Sequence, residues 1–339
     1  MTVEDVLRRD LTSVYRSRTG AAVAAITALS TVVIIGLIGI APSSVVGLVG
    51  GLLIVGILLA LVFLGDPKLI AITAVLFTGF AIGLVLVLSW PLLFQPLAFR
   101  PSMDTAVVGV GSLLSLTIPV VALLSSYATI IGERNSGSIR FLVGLPNSRS
   151  DAFVGKFISR SLVVVIPLVL GLLLAGIIVE LTYQSGSFLS MLGLAAVSIP
   201  YALVFVGLGL TASTYGNSIY QVVAIVVAAL ATLRIGWTAI RFLLVWDTNP
   251  PHPEWFYWIA SLNPFNAYIT LTSQFTTTNA HHPLLGYPSD RIFVDGTVQI
   301  ISNTETIAKT PAVAAVVLLG WMVITPLFGY FQFKKADLL

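Results

Sequence analysis

The chain has 339 residues, 57% of them hydrophobic and 9% charged, with a formal net charge of +3 and a mean hydropathy of +1.00. No soluble core of that length buries so much apolar surface, so the composition describes a polytopic membrane protein. The absence of cysteine excludes disulfides, thiolate metal sites and cysteine nucleophiles, and the slight positive balance speaks to topology and lipid headgroups, with no nucleic-acid partner implied.

Residues 1–20 place Val3, Val6, Leu7, Leu11, Val14 and Tyr15 at helical spacing, with Glu4, Arg8, Arg9 and Arg16 mostly elsewhere. That pattern predicts an amphipathic helix lying in the cytoplasmic interface. Apolar runs follow at 21–41, 45–65, 69–90, 107–131, 161–181, 189–211, 219–246 and 311–331. Each approaches the ~20 residues that cross a hydrocarbon layer. The chain therefore divides into the interfacial helix, four spans over 21–131, a basic loop at 132–160, three spans over 161–246, an outer segment at 247–310, and a last span with its tail at 311–339. The fold expected is an all-α helix bundle with about eight spans.

Charge placement orients it. With the N-terminus inside, the inner segments hold Arg8, Arg9, Arg16, Arg18, Lys68, five basic residues of the central loop, Lys334 and Lys335, against Arg100, Arg291 and Lys309 outside. A ratio of roughly four to one puts both termini in the cytoplasm of a cell membrane.

The loop at 132–160 is the one long basic segment between spans. Arg134, Arg140, Arg149, Lys156 and Arg160 are opposed there by Glu133 and Asp151 alone. Within it, 138–144 interleaves Ile139, Phe141, Leu142 and Val143 with Arg140. Pro146-Asn147 then forms a turn, and Ser150-Asp151 is an N-cap signal for a new helix. This predicts a short helix, a turn and a helix start, forming a docking element at the membrane face. Gly155-Lys156 is the pair that closes a P-loop. Here Ser150 replaces the earlier glycine and Phe157 the magnesium-binding hydroxyl, so no nucleotide site is expected.

In the seventh span Arg234 stands near the middle and Arg241 one face-repeat later, with Glu180 at the outer end of the fifth. A central arginine costs about 3 kcal/mol to insert, so it faces protein or a watery cavity. Two readings follow. Arg234 and Arg241 line a path for an anionic or amphipathic substrate with Glu180 as an ion partner, or Arg234 is structural and Arg241 snorkels. Gly207 and Gly209, like Gly47, Gly50 and Gly51, read as helix-packing faces.

The outer segment is too long for an unstructured connection. Its aromatic first part carries Trp255, Tyr257 and Trp258 and is broken at Asn263-Pro264 into pieces too short to span, which predicts a re-entrant helix pair dipping in from outside. An interfacial cap is the alternative. Farther on, 291–294 and 297–301 read as a small outer hairpin. His252, His281 and His282 lack the companions of a metal site, and none is expected.

The loop resembles the permease subunits of ABC-2 type ATP-binding-cassette transporters. The matching positions are Gly132, Glu133, Arg134, Gly137, Ser138 and Ile139, then Leu145, Pro146, Ser148 and Arg149, then Gly155 and Lys156. Asn263-Pro264 sits where that family has re-entrant helices, the N-terminal helix where it has an elbow, and the ending Gly329-Tyr330 through Leu338 is similar to its C-termini. The resemblance implies that Glu133, Arg134, Gly137, Ser138, Ile139, Arg140, Phe141, Leu142, Pro146, Arg149 and Lys156 form a coupling loop for a separate ATPase subunit. It also implies that ATP and magnesium bind that partner and that this chain holds no cofactor and is no enzyme. A second permease copy or homologue completes the path, and export is the expected direction. Glu133 is expected at the cytoplasmic end of the fourth span, paired with a basic residue such as Arg140.

The chain departs from the family in one respect. The common core has six spans with the basic loop after its second, whereas here the loop follows the fourth. The pair 45–65 and 69–90 thus reads as an insertion of two spans or as a membrane-embedded hairpin. A secondary transporter or channel, or a membrane anchor that recruits an ATPase and moves nothing, are the other functional classes. The substrate is open among lipids, drugs, peptides, glycans and metal-site intermediates.

Overall fold

The computed structural model describes Glu4 and residues 103–137, 149–182, 187–244, 253–276, 291–294, 297–300 and 306–335. The rest of the interfacial helix, the spans at 21–41, 45–65 and 69–90, the loop stretch 138–148 and the three histidines lie outside them. Nine helices are found among the described residues: α1 (Met103–Ser126), α2 (Thr129–Asn135), α3 (Arg149–Thr182), α4 (Phe188–Tyr215), α5 (Ile219–Ala231), α6 (Trp237–Leu244), α7 (Glu254–Ser261), α8 (Pro264–Thr272) and α9 (Pro311–Lys335). Among the described residues, five stretches are long and apolar enough to cross a membrane: Gly109–Asn135, Arg149–Leu181, Phe188–Tyr215, Ile219–Gly236 and Pro311–Lys335.

The structure departs from the expected boundaries in two places. The helix start expected at Ser150-Asp151 and the fifth span expected at 161–181 belong to one helix, since α3 runs from Arg149 to Thr182. At 1.5 Å per residue its 34 residues reach about 51 Å, well beyond a hydrocarbon layer of ~30 Å. Hydropathy marks where the bilayer begins, and the helix starts earlier. The seventh span is not one α-helix either, because a π-turn at Thr232–Gly236 separates α5 from α6.

Helix α3 shows how the bundle is cut from uniformly apolar sequence. Val164, Leu168, Leu172, Ala175 and Val179 form one stripe at helical spacing and are buried. Ile166, Leu170, Leu174, Ile177 and Leu181 form another and are exposed. Both stripes are apolar because the outer one meets lipid tails. Helix α4 is the hub, packed against α1, α3, α8 and α9. Its small residues allow this. A Cβ on Gly209 would collide with Ser126 of α1, and one on Gly207 with Thr325 and Pro326 of α9. Gly207 and Gly209 are therefore packing residues, as their type suggests.

Several hydroxyls in the spans are satisfied locally, which suits a hydrocarbon surrounding. Ser115, Ser125 and Ser126 of α1 return their protons to carbonyls three or four residues back. Where α1 gives way to α2, the amides of Ile130 and Ile131 both donate to Ser213 Oγ of α4, each at 3.0 Å. At the α4–α5 corner Ser218 caps α5 by accepting from Gln221 N, and Gln221 Oε1 accepts from Asn217 N.

The outer segment contributes α7 and α8, a 3-10 turn at Ser273–Phe275, and a two-stranded antiparallel ribbon, β1 (Arg291–Val294) with β2 (Thr297–Ile300). Val294 faces Thr297, leaving in the sequence the pair Asp295-Gly296 that two-residue hairpin loops favour. A 3-10 turn at Ile307–Lys309 leads into α9. There Lys309 Nζ lies 4.2 Å from the ring centroid of Tyr257.

Candidate functional site

Two places in the bundle concentrate the residues singled out by the sequence. The first is the basic end, where α2 stops, α3 starts and α9 finishes. Helix α2 ends because Gly137 takes φ 72°, the left-handed conformation that glycine adopts without strain. Ser136 N and Gly137 N cap the closing carbonyls of Gly132 and Arg134. Glu133 and Arg134 sit on this last turn.

Across the loop, Lys156 Nζ meets Glu133 Oε1 at 2.6 Å. The lysine side chain is 1% exposed and the glutamate 21%. A buried ammonium is tolerable only with an opposite charge against it, so each of these side chains holds the other in place. Glu133 pairs with a basic residue, as expected, and the contact described is with Lys156; Arg140 lies outside the described residues.

One turn before Lys156, Phe153 packs edge-on to Tyr330 and tilted against Phe333, both in α9. Arg149 donates from Nη1 to the carbonyl of Lys334 at 2.8 Å, serving the unpaired end of α9. Ile130, Ala152, Phe153, Leu210 and Phe333 form a separate small core here, drawn from four helices. Glu133, Arg134, Gly137, Arg149 and Lys156 thus gather at one end of the bundle, while Ser138, Ile139, Arg140, Phe141, Leu142 and Pro146 lie outside the described residues.

The second place is deep in the bundle. Asn263 and Pro264 form the break between α7 and α8: Asn263 Oδ1 accepts from Phe265 N at 2.8 Å, and Pro264 takes the first helical position. Helix α8 lies along the middle of α4, with Tyr268 stacked on Tyr201 at 4.1 Å and hydrogen-bonded to Ser198 at 2.9 Å. Phe265 packs edge-on to Tyr201 and Phe205.

The break leaves carbonyls at the end of α7 that lipid cannot satisfy. Side chains supply the donors: Trp237 Nε1 to Ile259 O, Asn266 Nδ2 to Ala260 O and Trp321 Nε1 to Leu262 O, at 3.0, 2.7 and 2.9 Å. Trp321 stands about 15 Å along α9 from Pro311, at 1.5 Å per residue.

Arg234 belongs to the π-turn, its guanidinium carbon 5.1 Å from the centroid of Phe265. The structure therefore brings Arg234 to Asn263-Pro264. Glu180 lies elsewhere, at the end of α3, where its Oε2 accepts from Phe188 N at 2.7 Å and caps α4. Arg241 falls in α6, and its side chain lies outside the described residues. Trp237, Asn266 and Trp321 were not singled out by the sequence reading. Their signal was there, since tryptophans away from the headgroup belt each bring an N–H that needs an acceptor inside the protein.

Comparison with known proteins gives these places a setting. A family model described as "ABC-2 family transporter protein" matches residues 18–338. The "Probable ABC transporter permease protein NosY" of Stutzerimonas stutzeri is 24% identical over 244 residues, covering 69% of this chain and 81% of the relative. The protein of the same name from Pseudomonas aeruginosa is 30% identical over 70 residues, covering 21% of this chain and 26% of the relative.

Proposed function

This chain belongs to the ABC-2 transporter family, and we propose that it is the membrane-spanning permease subunit of an ABC transporter, moving its substrate outward on ATP hydrolysed by a separate subunit. The observation that carries this reading is the Glu133–Lys156 pair, which clamps the two ends of the basic loop together. A loop fixed at its base moves as a lever. A push on 138–144 from a partner is passed to the start of α3 instead of being absorbed by a slack connection.

From α3 the displacement has two routes. Phe153 carries it into Tyr330 and Phe333 at the end of α9. The packing of α3 on α4 carries it into the hub. In this reading 138–144, Arg134, Arg140 and Arg149 face the ATPase, Glu133 and Lys156 hold the lever, and Gly137 ends the helix that bears it. ATP and magnesium bind the partner. A second permease copy or a homologue lies across the path, both termini face the cytoplasm, and the cell membrane is the site of action. Arg234, and with it Arg241, lies toward the path, where a cation suits an anionic or amphipathic substrate.

The test is co-purification of the tagged chain with the products of neighbouring genes, followed by an ATPase assay. A stoichiometric ATPase that is lost when 138–144 is replaced by a Gly/Ser linker supports the permease. A chain that purifies alone and moves ions in liposomes without ATP is instead a channel or secondary transporter.

A further inference from the structure

Two interrupted helices face each other inside the bundle: the π-turn at Thr232–Gly236 and the break between α7 and α8. Each leaves backbone groups that lipid cannot serve, and each is served by the other. Asn263 Nδ2 donates to Leu233 O at 2.6 Å, and Trp237 Nε1 to Ile259 O at 3.0 Å. Helix α8 is fixed on its far side, through the Tyr268–Tyr201 stack and the bond from Tyr201 Oη to Ser115 O at 2.7 Å. The α5–α6 span packs more lightly on its neighbours than α8 does, with Val222, Val226, Leu230 and Leu233 as its buried stripe. Tyr220, Ile235 and Leu243 along it are 70%, 69% and 70% exposed.

We propose that Asn263 is a latch. Its amide holds the π-turn of the α5–α6 span against the α7–α8 break, and its release lets α6 swing about the π-turn and open the outer half of the bundle. A seam closed by hydrogen bonds between backbone acceptors and side-chain donors is strong while dry, and once wet its groups bond to water instead. It therefore has a closed dry state and an open wet state, which a purely apolar seam in lipid would not separate. The use of the latch in a transport cycle rests on the permease reading; the latch itself is a property of this chain.

The chain has no cysteine, so a single Leu233→Cys reports, through its reaction with a water-borne maleimide in liposomes, whether the seam is wet. Leu233 is 7% exposed, and Ala202→Cys on α4, at a position 0% exposed, is the control. Asn263→Ser keeps an oxygen to cap Phe265 N but does not reach Leu233 O. It is expected to raise labelling at 233 about tenfold, the shift from losing one hydrogen bond to the backbone, with 202 unchanged. Trp237→Phe keeps an aromatic ring, removes the donor together with part of the indole's volume, and acts in the same direction. Unchanged labelling at 233 in both variants overturns the latch, and so does an equal rise at 202, which signals general loosening.

In the assembled complex, ATP should raise labelling at 233 with Asn263 and Trp237 intact. Turnover that leaves 233 unlabelled overturns its part in the cycle. If no ATPase partner assembles, the permease reading fails while the maleimide result on the chain alone still decides the latch.

Discussion

Lys156 and Glu133 are 23 positions apart in the chain and 2.6 Å apart in the fold, with the ammonium almost wholly enclosed. Their contact joins the last turn of α2 to the second turn of α3 across a loop whose other charges are mostly basic. A lysine in that setting without its carboxylate would be a buried, uncompensated charge.

Removing one partner should therefore hurt more than removing both. Glu133→Gln alone is expected to cost about 3 kcal/mol of stability, by stranding the lysine. Glu133→Gln combined with Lys156→Met should recover most of it. Thermal unfolding of the detergent-solubilised chain measures both variants. In the assembled complex both should hydrolyse ATP without proportionate transport, because the lever is slack in each. A double variant less stable than the single one would refute this account of the pair.

Arg149 separates coupling from stability. Its bond to Lys334 O is at the exposed end of the bundle, so Arg149→Ala should cost no more than about 1 kcal/mol. Membrane insertion should be unaffected, while the ratio of substrate moved to ATP hydrolysed falls. Normal coupling in this variant would remove Arg149 from the force path.

Ser213 serves two amides at once. Ser213→Ala leaves the N–H groups of Ile130 and Ile131 without their acceptor in a buried place, and should destabilise by about 2 to 3 kcal/mol. Hydrogen exchange at those two amides should quicken ahead of the rest of α2. Protection equal to that of the unsubstituted chain would mean that another acceptor takes over.

Glycines in the spans should divide by what surrounds them. Gly209→Ala drives a methyl into Ser126 and should cost about 1 to 3 kcal/mol by forcing α1 and α4 apart. Gly320→Ala meets nothing within 4 Å and should be neutral or stabilising by up to about 1 kcal/mol, since alanine is the better helix former. Melting temperatures of the two variants give the comparison directly, and equal shifts would contradict the close packing of α4.

Much of this was legible in the residues themselves. Apolar runs give the spans, because each residue's transfer energy is a local property. The Asn263-Pro264 break was legible too, since proline acts on its own backbone and on the residue before it. The outer ribbon at 291–300 followed from local β-propensity.

What the residues could not say is who serves whom. Lys156 reads as one more charge in a basic loop, and only the return of α3 beside α2 brings it to Glu133. Arg234 and Asn263 read as separate polar points in separate segments, and only the packing of α8 against the π-turn joins them. Glu180, an ion partner for the path in one of two readings of the sequence, accepts from the first amide of α4. Local chemistry along the chain determined the class of protein and its membrane-crossing helices. The tertiary structure decided the partners, because in lipid every apolar face is equally acceptable and specificity falls to the few polar groups, whose neighbours come from distant parts of the chain.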